Sequence, residues 1–217
     1  CACLVGSEMC IRDREEATNR LMTSVSHDLR TPLTALLGYL EILEGDPRPA
    51  SESPYLGKCR QRALQIRGML NDLFEYFFVS TSDKTQADFP PCTVEQAFGK
   101  LLAEFADLLR QDDFAVNAPQ LPSGTVRVNT GLLQRLFDNL LSNLRRYADR
   151  TQPVKITLLA RDKELALIVS NTARPDAKPG TGLGLQNCAQ MLRLHGGRFE
   201  HSLSDGVFTA AAYFPME

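Results

Sequence analysis

No charge of one sign dominates this chain of 217 residues: 24 Lys and Arg stand against 26 Asp and Glu, and the signs are mixed without a basic block. That balance removes any electrostatic case for nucleic acid or an anionic membrane surface as a partner. Long hydrophobic runs are missing too. No apolar stretch approaches the roughly 20 residues that span a bilayer, so the chain as given reads as soluble and cytoplasmic. Six cysteines, at positions 1, 3, 10, 59, 92 and 188, have neither zinc-site spacing nor the framework of a small secreted domain, and read as reduced thiols. There is no internal repeat. What is present is ordinary globular material, 43% hydrophobic and 23% charged, long enough for one large domain or two small ones.

The first residues stand apart. Leu4 to Asp13 resembles a translated adapter of sequencing libraries, so residues 1–13 are read as a non-native leader and left out of functional reasoning. On that reading the natural N-terminus, with any sensor or membrane anchor, lies upstream.

From Glu15 to Leu43 the apolar residues Met22, Val25, Leu29, Leu36, Tyr39 and Leu43 form a heptad-like seam, with Pro32 in one slot. A second helix starts near Pro54, a residue tolerated in a first turn. Its seam is Leu56, Cys59, Ala63, Ile66, Leu70, Leu73 and Phe77. Two such helices make a hairpin, and pairing two hairpins into a four-helix bundle covers what one hairpin leaves exposed. The expected domains are therefore a dimerising hairpin over 14–80, a proline-containing linker over 81–91, and a second domain over 92–217. That domain reads as helices over Val94 to Leu109, Thr130 to Ala148 and Leu183 to Leu194. Strands are expected around Phe114 to Val116, Thr125 to Val128, Val154 to Ala160, Leu165 to Ser170, Arg198 to Leu203 and Val207 to Phe214. Adjacent strands with helices make a two-layer α/β sandwich, so the class is α+β.

Three features carry chemistry. Ser26-His27-Asp28-Leu29-Arg30-Thr31-Pro32-Leu33 places a histidine, a carboxylate and a hydroxyl on one helical turn. Histidine keeps a neutral, nucleophilic ring nitrogen near pH 7, and an adjacent carboxylate can accept or orient its other proton. His27 lies two residues beyond the seam residue Val25, about 200° around the helix, and so points to solvent. Second, Asn139, Asn143, Arg146 and Tyr147 share one polar helix face beside the apolar stripe Leu133, Leu136, Phe137, Leu140 and Leu144. Two amides, a guanidinium and a phenol can bind metal, phosphate and a flat ring, although a solvated face explains them equally well in isolation. Third, Gly180-Thr181-Gly182-Leu183-Gly184-Leu185 opens a helix, where glycines admit an anion to free N–H groups. Its spacing is not that of the dinucleotide fingerprint.

In this order the three features resemble the cytoplasmic core of a sensor histidine kinase: a dimerisation and phosphotransfer hairpin followed by an ATP-binding domain of the Bergerat type. The likeness covers about residues 15–217. It implies that His27 takes the γ-phosphoryl group of ATP in a homodimer and passes it to an aspartate of a response regulator, with possible phosphatase activity. It further implies Asp28 as general base and tautomer-setter, and Thr31 as the hydroxyl that helps place a water for dephosphorylation. Pro32 matches the family's helix kink. Asn143 matches the ligand of Mg²⁺. Asn139, Arg146 and Tyr147 match nucleotide contacts, and Gly180, Thr181, Gly182, Leu183, Gly184 and Leu185 match the second glycine box.

Two departures stand out. The family's Asp-x-Gly-x-Gly is replaced by Val169-Ser170-Asn171-Thr172-Ala173, which leaves Asn171 as the adenine contact and lacks both glycines. A neutral acceptor in place of a charged one costs on the order of 1 kcal/mol, roughly fivefold in affinity. Only Thr172 to Pro179 separate Asn171 from the glycine loop, too few for the family's long lid, and the phenylalanine box is absent. Lys178 in that short segment reads as a solvated lysine. The departures leave open a degenerate kinase that binds a response regulator without turning over ATP. A chaperone or repair ATPase of the same nucleotide fold would leave the turn from Ser26 to Leu33 unexplained.

Overall fold

Residues 26, 28–45, 53–80, 88–117, 119–177 and 182–217 are described by the computed structural model. The leader, His27, the loop around Pro47, most of the linker, Lys178, Gly180 and Thr181 lie outside the described residues. The chain divides into two units that part between Glu75 and Tyr76.

In the first unit, α1 (residues 28–45) runs unbroken through Pro32, and α2 (Pro54–Ser80) begins at the proline that marks its start. Near the hairpin turn the rings of Tyr39 and Tyr55 lie 5.9 Å apart, with the Lys58 ammonium 4.8 Å from the Tyr55 ring centre. Leu29, Leu36, Tyr39 and Leu43 are half-buried, whereas Leu56, Ala63 and Leu70 are exposed despite belonging to the same heptad pattern. Leu33, Leu37 and Leu40 form a further exposed apolar row on α1 that the seam does not include. One hairpin cannot cover both faces.

The second unit is built on a five-stranded sheet. β1 (Pro91–Thr93) leads into α3 (Val94–Gln111), which Thr93 and Gln96 start with a reciprocal capping box at 3.1 and 3.0 Å. Then follow β2 (Val116–Asn117), β3 (Thr125–Arg127), α4 (Thr130–Tyr147), β4 (Val154–Arg161), β5 (Glu164–Thr172), α5 (Leu183–Leu194), β6 (Arg198–Ser204) and β7 (Val207–Pro215). The strand order is β2-β4-β5-β7-β6, with β1 and β3 forming a separate antiparallel pair. The expectation of simple adjacency is corrected twice. β2 pairs parallel with β4, and β7 inserts between β5 and β6 because the α5 crossover carries β6 to the outer edge. Within the stretch expected as linker, Phe89 is buried and its carbonyl accepts from Arg127 at 2.9 Å.

Every second residue of β5 (Leu165, Leu167, Val169 and Asn171) is buried, the period of a strand with one covered face. The first three join Phe98, Phe105, Phe137 and Phe214 in the core, where edge-on ring pairs such as Phe98 and Phe214 lie 5.3 Å apart. α4 contributes Leu133, Leu136, Phe137, Leu140, Leu141 and Leu144, the expected stripe plus Leu141.

His195, at the end of α5, is buried between the rings of Phe89 and Phe214. Its Nε2 accepts the Asn129 N–H at 3.1 Å, so Nδ1 carries the proton and donates to the Met191 carbonyl at 2.7 Å. Burial pushes its pKa below the ordinary value of 6.5. The unfolded chain therefore binds a proton that the folded chain refuses, and stability rises with pH up to about 6.5 and is flat above it. Thermal unfolding midpoints are expected to fall from pH 7.5 to pH 5.5, and to fall less in His195→Gln. An equal slope in both proteins would place the pH dependence elsewhere.

Candidate functional site

Two contacts tie predicted site residues of the second unit to α4, one from the start of α5 and one from the end of β5. α4 begins at Asn129, whose Oδ1 accepts the Leu132 N–H at 3.0 Å. With its apolar stripe committed to the core, the helix turns Asn139, Asn143 and Tyr147 to a half-buried position and leaves Arg146 exposed. The Arg146 guanidinium lies 5.9 Å from the centre of the Tyr147 ring.

Asn139 links this face to the glycine loop. Its Nδ2 donates to the Arg135 carbonyl at 2.9 Å, and its Oδ1 lies 3.1 Å from where a Cβ on Gly184 would stand. Glycine at 184 is what lets the first turn of α5 approach Asn139 so closely. Gly182 caps α5 with φ of +72°, in the left-handed region open to glycine, and no side chain caps the helix or places an acid in its first turn. No acid within that first turn opposes the positive end of the helix dipole. Leu183 anchors the turn in the core, while Leu185 is half-buried.

Asn171 ends the buried row of β5 with only 5% of its surface exposed. Its Nδ2 donates to the Thr172 carbonyl at 3.0 Å, yet its Oδ1 is buried with no hydrogen-bond partner. An unmet buried acceptor costs about 1–3 kcal/mol, which a ligand donor would recover. The two missing glycines have a local explanation: neither Ala173 nor Pro175 adopts a positive φ. Instead the chain stays extended through Ala173, turns at Pro175 and Asp176, and is stitched to the end of α4. Thr172 O accepts the Asp149 N–H at 2.8 Å, Ala173 bridges Ala148, and the Arg174 N–H donates to Tyr147 O at 2.8 Å. The Arg174 guanidinium also donates to the Arg146 carbonyl. These rungs hold Asn171 beside the polar end of α4.

Sequence reasoning missed Arg174, and also Asn187, a polar residue wholly buried in the stripe of α5. Asn187 was legible as an amide inside the apolar row Leu183, Cys188, Met191 and Leu192. Arg174 gave no signal, since its partners are carbonyls about 28 positions away. In the first unit Asp28 is half-buried and Thr31 exposed. Among the described residues no group of three or more His, Cys, Asp and Glu side chains could hold a metal ion. No described helix is long and apolar enough to cross a membrane.

Comparison with known proteins matches residues 17–77 to the His Kinase A (phospho-acceptor) domain. Residues 128–217 match the histidine kinase-, DNA gyrase B-, and HSP90-like ATPase. The chain is 33% identical over 198 residues to the sensor histidine kinase YrkQ of Bacillus subtilis (strain 168), covering 89% of this chain and 45% of that one. Among solved structures, the histidine kinase ThkA in complex with the response regulator protein TrrA is similar at a TM-score of 0.73 and 16% identity, covering 95% of this chain and 64% of that one. The Acinetobacter baumannii histidine kinase AdeS is similar at a TM-score of 0.66 and 21% identity, covering 88% and 98%. These structural likenesses bear on the fold. The chain spans about half the length of the curated relatives it matches.

Proposed function

We propose, for a chain that belongs to the sensor histidine kinases, that residues 92–217 bind ATP and that His27 on the hairpin of residues 14–80 takes its γ-phosphoryl group. The phosphohistidine then gives that group to an aspartate of a response regulator. The observation that carries the ATP reading is the orphaned Oδ1 of Asn171, a buried acceptor that fits the exocyclic amino group of adenine.

Each residue has a task. Tyr147 lies beside the base end of α4, and Arg146 is the cation for the phosphates, its fork suited to bidentate contact. Asn139 and the second glycine box, Gly180, Thr181, Gly182, Leu183, Gly184 and Leu185, set the approach of the α5 N–H groups to the phosphate side. Asn143 would hold Mg²⁺. When bound, the ion neutralises phosphate charge. On the hairpin the unprotonated ring nitrogen of His27 bonds to the γ-phosphorus as the bond to the bridging oxygen of ADP breaks. The other ring nitrogen releases its proton to Asp28. Thr31, exposed on α1, would place a water that dephosphorylates the regulator.

The exposed rows Leu33, Leu37, Leu40 and Leu56, Leu70, Phe74 support homodimerisation through the hairpin, since a second copy would cover them. No described feature favours the degenerate reading.

The test replaces Asn171 by Leu, of similar size but without the amide. Mg-ATP binding is expected to weaken about tenfold, whereas the melting point without nucleotide holds or rises because an unmet polar atom is gone. Unchanged affinity in titration calorimetry would remove Asn171 from the base pocket. Absence of wild-type binding at millimolar Mg-ATP would overturn the ATP reading itself.

A further inference from the structure

We propose that Arg174 is a positioning residue that clamps the last turn of α4 and so presets the nucleotide face, an inference that rests on the ATP reading above. The final carbonyls of an α-helix have no partner within it. Many helices meet this need with a left-handed glycine beyond the cap. α4 does not. Its cap residue Ala148 is extended, with φ −78° and ψ 144°, and its own N–H serves the Leu144 carbonyl.

Among the described residues the carbonyls of Arg146 and Tyr147 are served by Arg174, through its guanidinium and its main-chain N–H respectively. These are the same two residues whose side chains form the polar end of the helix. The guanidinium also sets a positive charge at the negative end of the helix dipole. Arg174 is itself held in place. Ala173 N–H donates to the Gly206 carbonyl at 2.8 Å, and Ala177 N–H closes a turn on the Arg174 carbonyl at 3.2 Å. The short segment after Asn171 thus works as a fixed strap on α4.

Without the guanidinium, the last turn loses a hydrogen bond and a favourable charge, and frays. Arg146 and Tyr147 must then be ordered each time nucleotide enters, a cost that falls on binding. The acceptor His27 belongs to a different element, so the transfer step at saturation is spared.

The experiment measures autophosphorylation of the full chain against ATP concentration at saturating magnesium. Arg174→Met, which keeps the stem but loses charge and donors, is expected to raise KM about tenfold with the maximal rate within twofold of wild type. Arg174→Lys, which restores the charge and one donor, is expected to return KM to within about threefold. Melting points without nucleotide are expected to fall only slightly, because Arg174 is exposed and the fraying is confined to one helix end. The clamp is refuted by a wild-type KM in Arg174→Met, by a maximal rate that falls in proportion, or by a Lys variant no better than Met. A wild-type chain that takes up no ATP removes instead the reading beneath it, and does so with no variant involved.

Discussion

His27→Gln is expected to take up no phosphate from labelled Mg-ATP, while the wild-type chain gains label that is lost in acid and kept in alkali. Glutamine approximates the imidazole in reach and hydrogen bonding but has no basic nitrogen lone pair. Phosphoryl transfer asks the protein mainly for positioning and charge neutralisation, so removing the attacking atom leaves nothing to rescue the step. The stability profile singles out a phosphoramidate, since serine, threonine and tyrosine esters survive acid. Nucleotide affinity should be unaffected, because every residue assigned to ATP belongs to the second unit. Label retained in His27→Gln at the wild-type level would give the acceptor role to another residue.

Gly197→Ala carries the largest expected effect on stability, on the order of 4 kcal/mol. A Cβ at Gly197 would fall inside the van der Waals shell of the Tyr213 carbonyl, and lie 3.2 Å from Leu192 Cδ1. Neither neighbour can retreat. Tyr213 sits in β7 with β5 on one side and β6 on the other, and Leu192 is fully buried. The Gly197 N–H is also tied to the Leu192 carbonyl at 2.8 Å, which holds the loop against the strand. Gly57→Ala is the control. In α2 with nothing within 4 Å, it should stabilise by about 0.5–1 kcal/mol. Urea unfolding separates the two, and equal midpoints for Gly197→Ala and wild type would mean that the loop can shift.

Periodicity made α4 and α5 legible to within a residue, and Pro54 marked α2. The long strands β4 and β5 were placed to within two residues of their ends. Short pairings were not legible. β2 contributes two residues to its parallel partner and β1 three to β3, too few for a pattern to rise above the loops around them. The place of β7 between β5 and β6 is a matter of crossover, which local pattern does not encode.

At the site, residue types on a helix face were readable because 3.6-residue spacing sets a face directly. The orphaned acceptor of Asn171 and the reach of Arg174 were not, since both depend on where a distant backbone falls. The loss of the two glycines illustrates the difference. As sequence it reads as a defect, and in three dimensions it marks a chain that is extended through Ala173 and hydrogen-bonded to α4.

α4 joins two tasks on one rigid rod, the core along one side and the polar face along the next. A change of residue alters one task at a time, but an inserted or deleted residue turns everything beyond it by about 100°. The polar face would be carried toward the core and the leucines toward water together. Over these 18 residues the helix is therefore free to drift in composition and held fixed in length, which makes its rotational phase the quantity that ties the polar face to the fold.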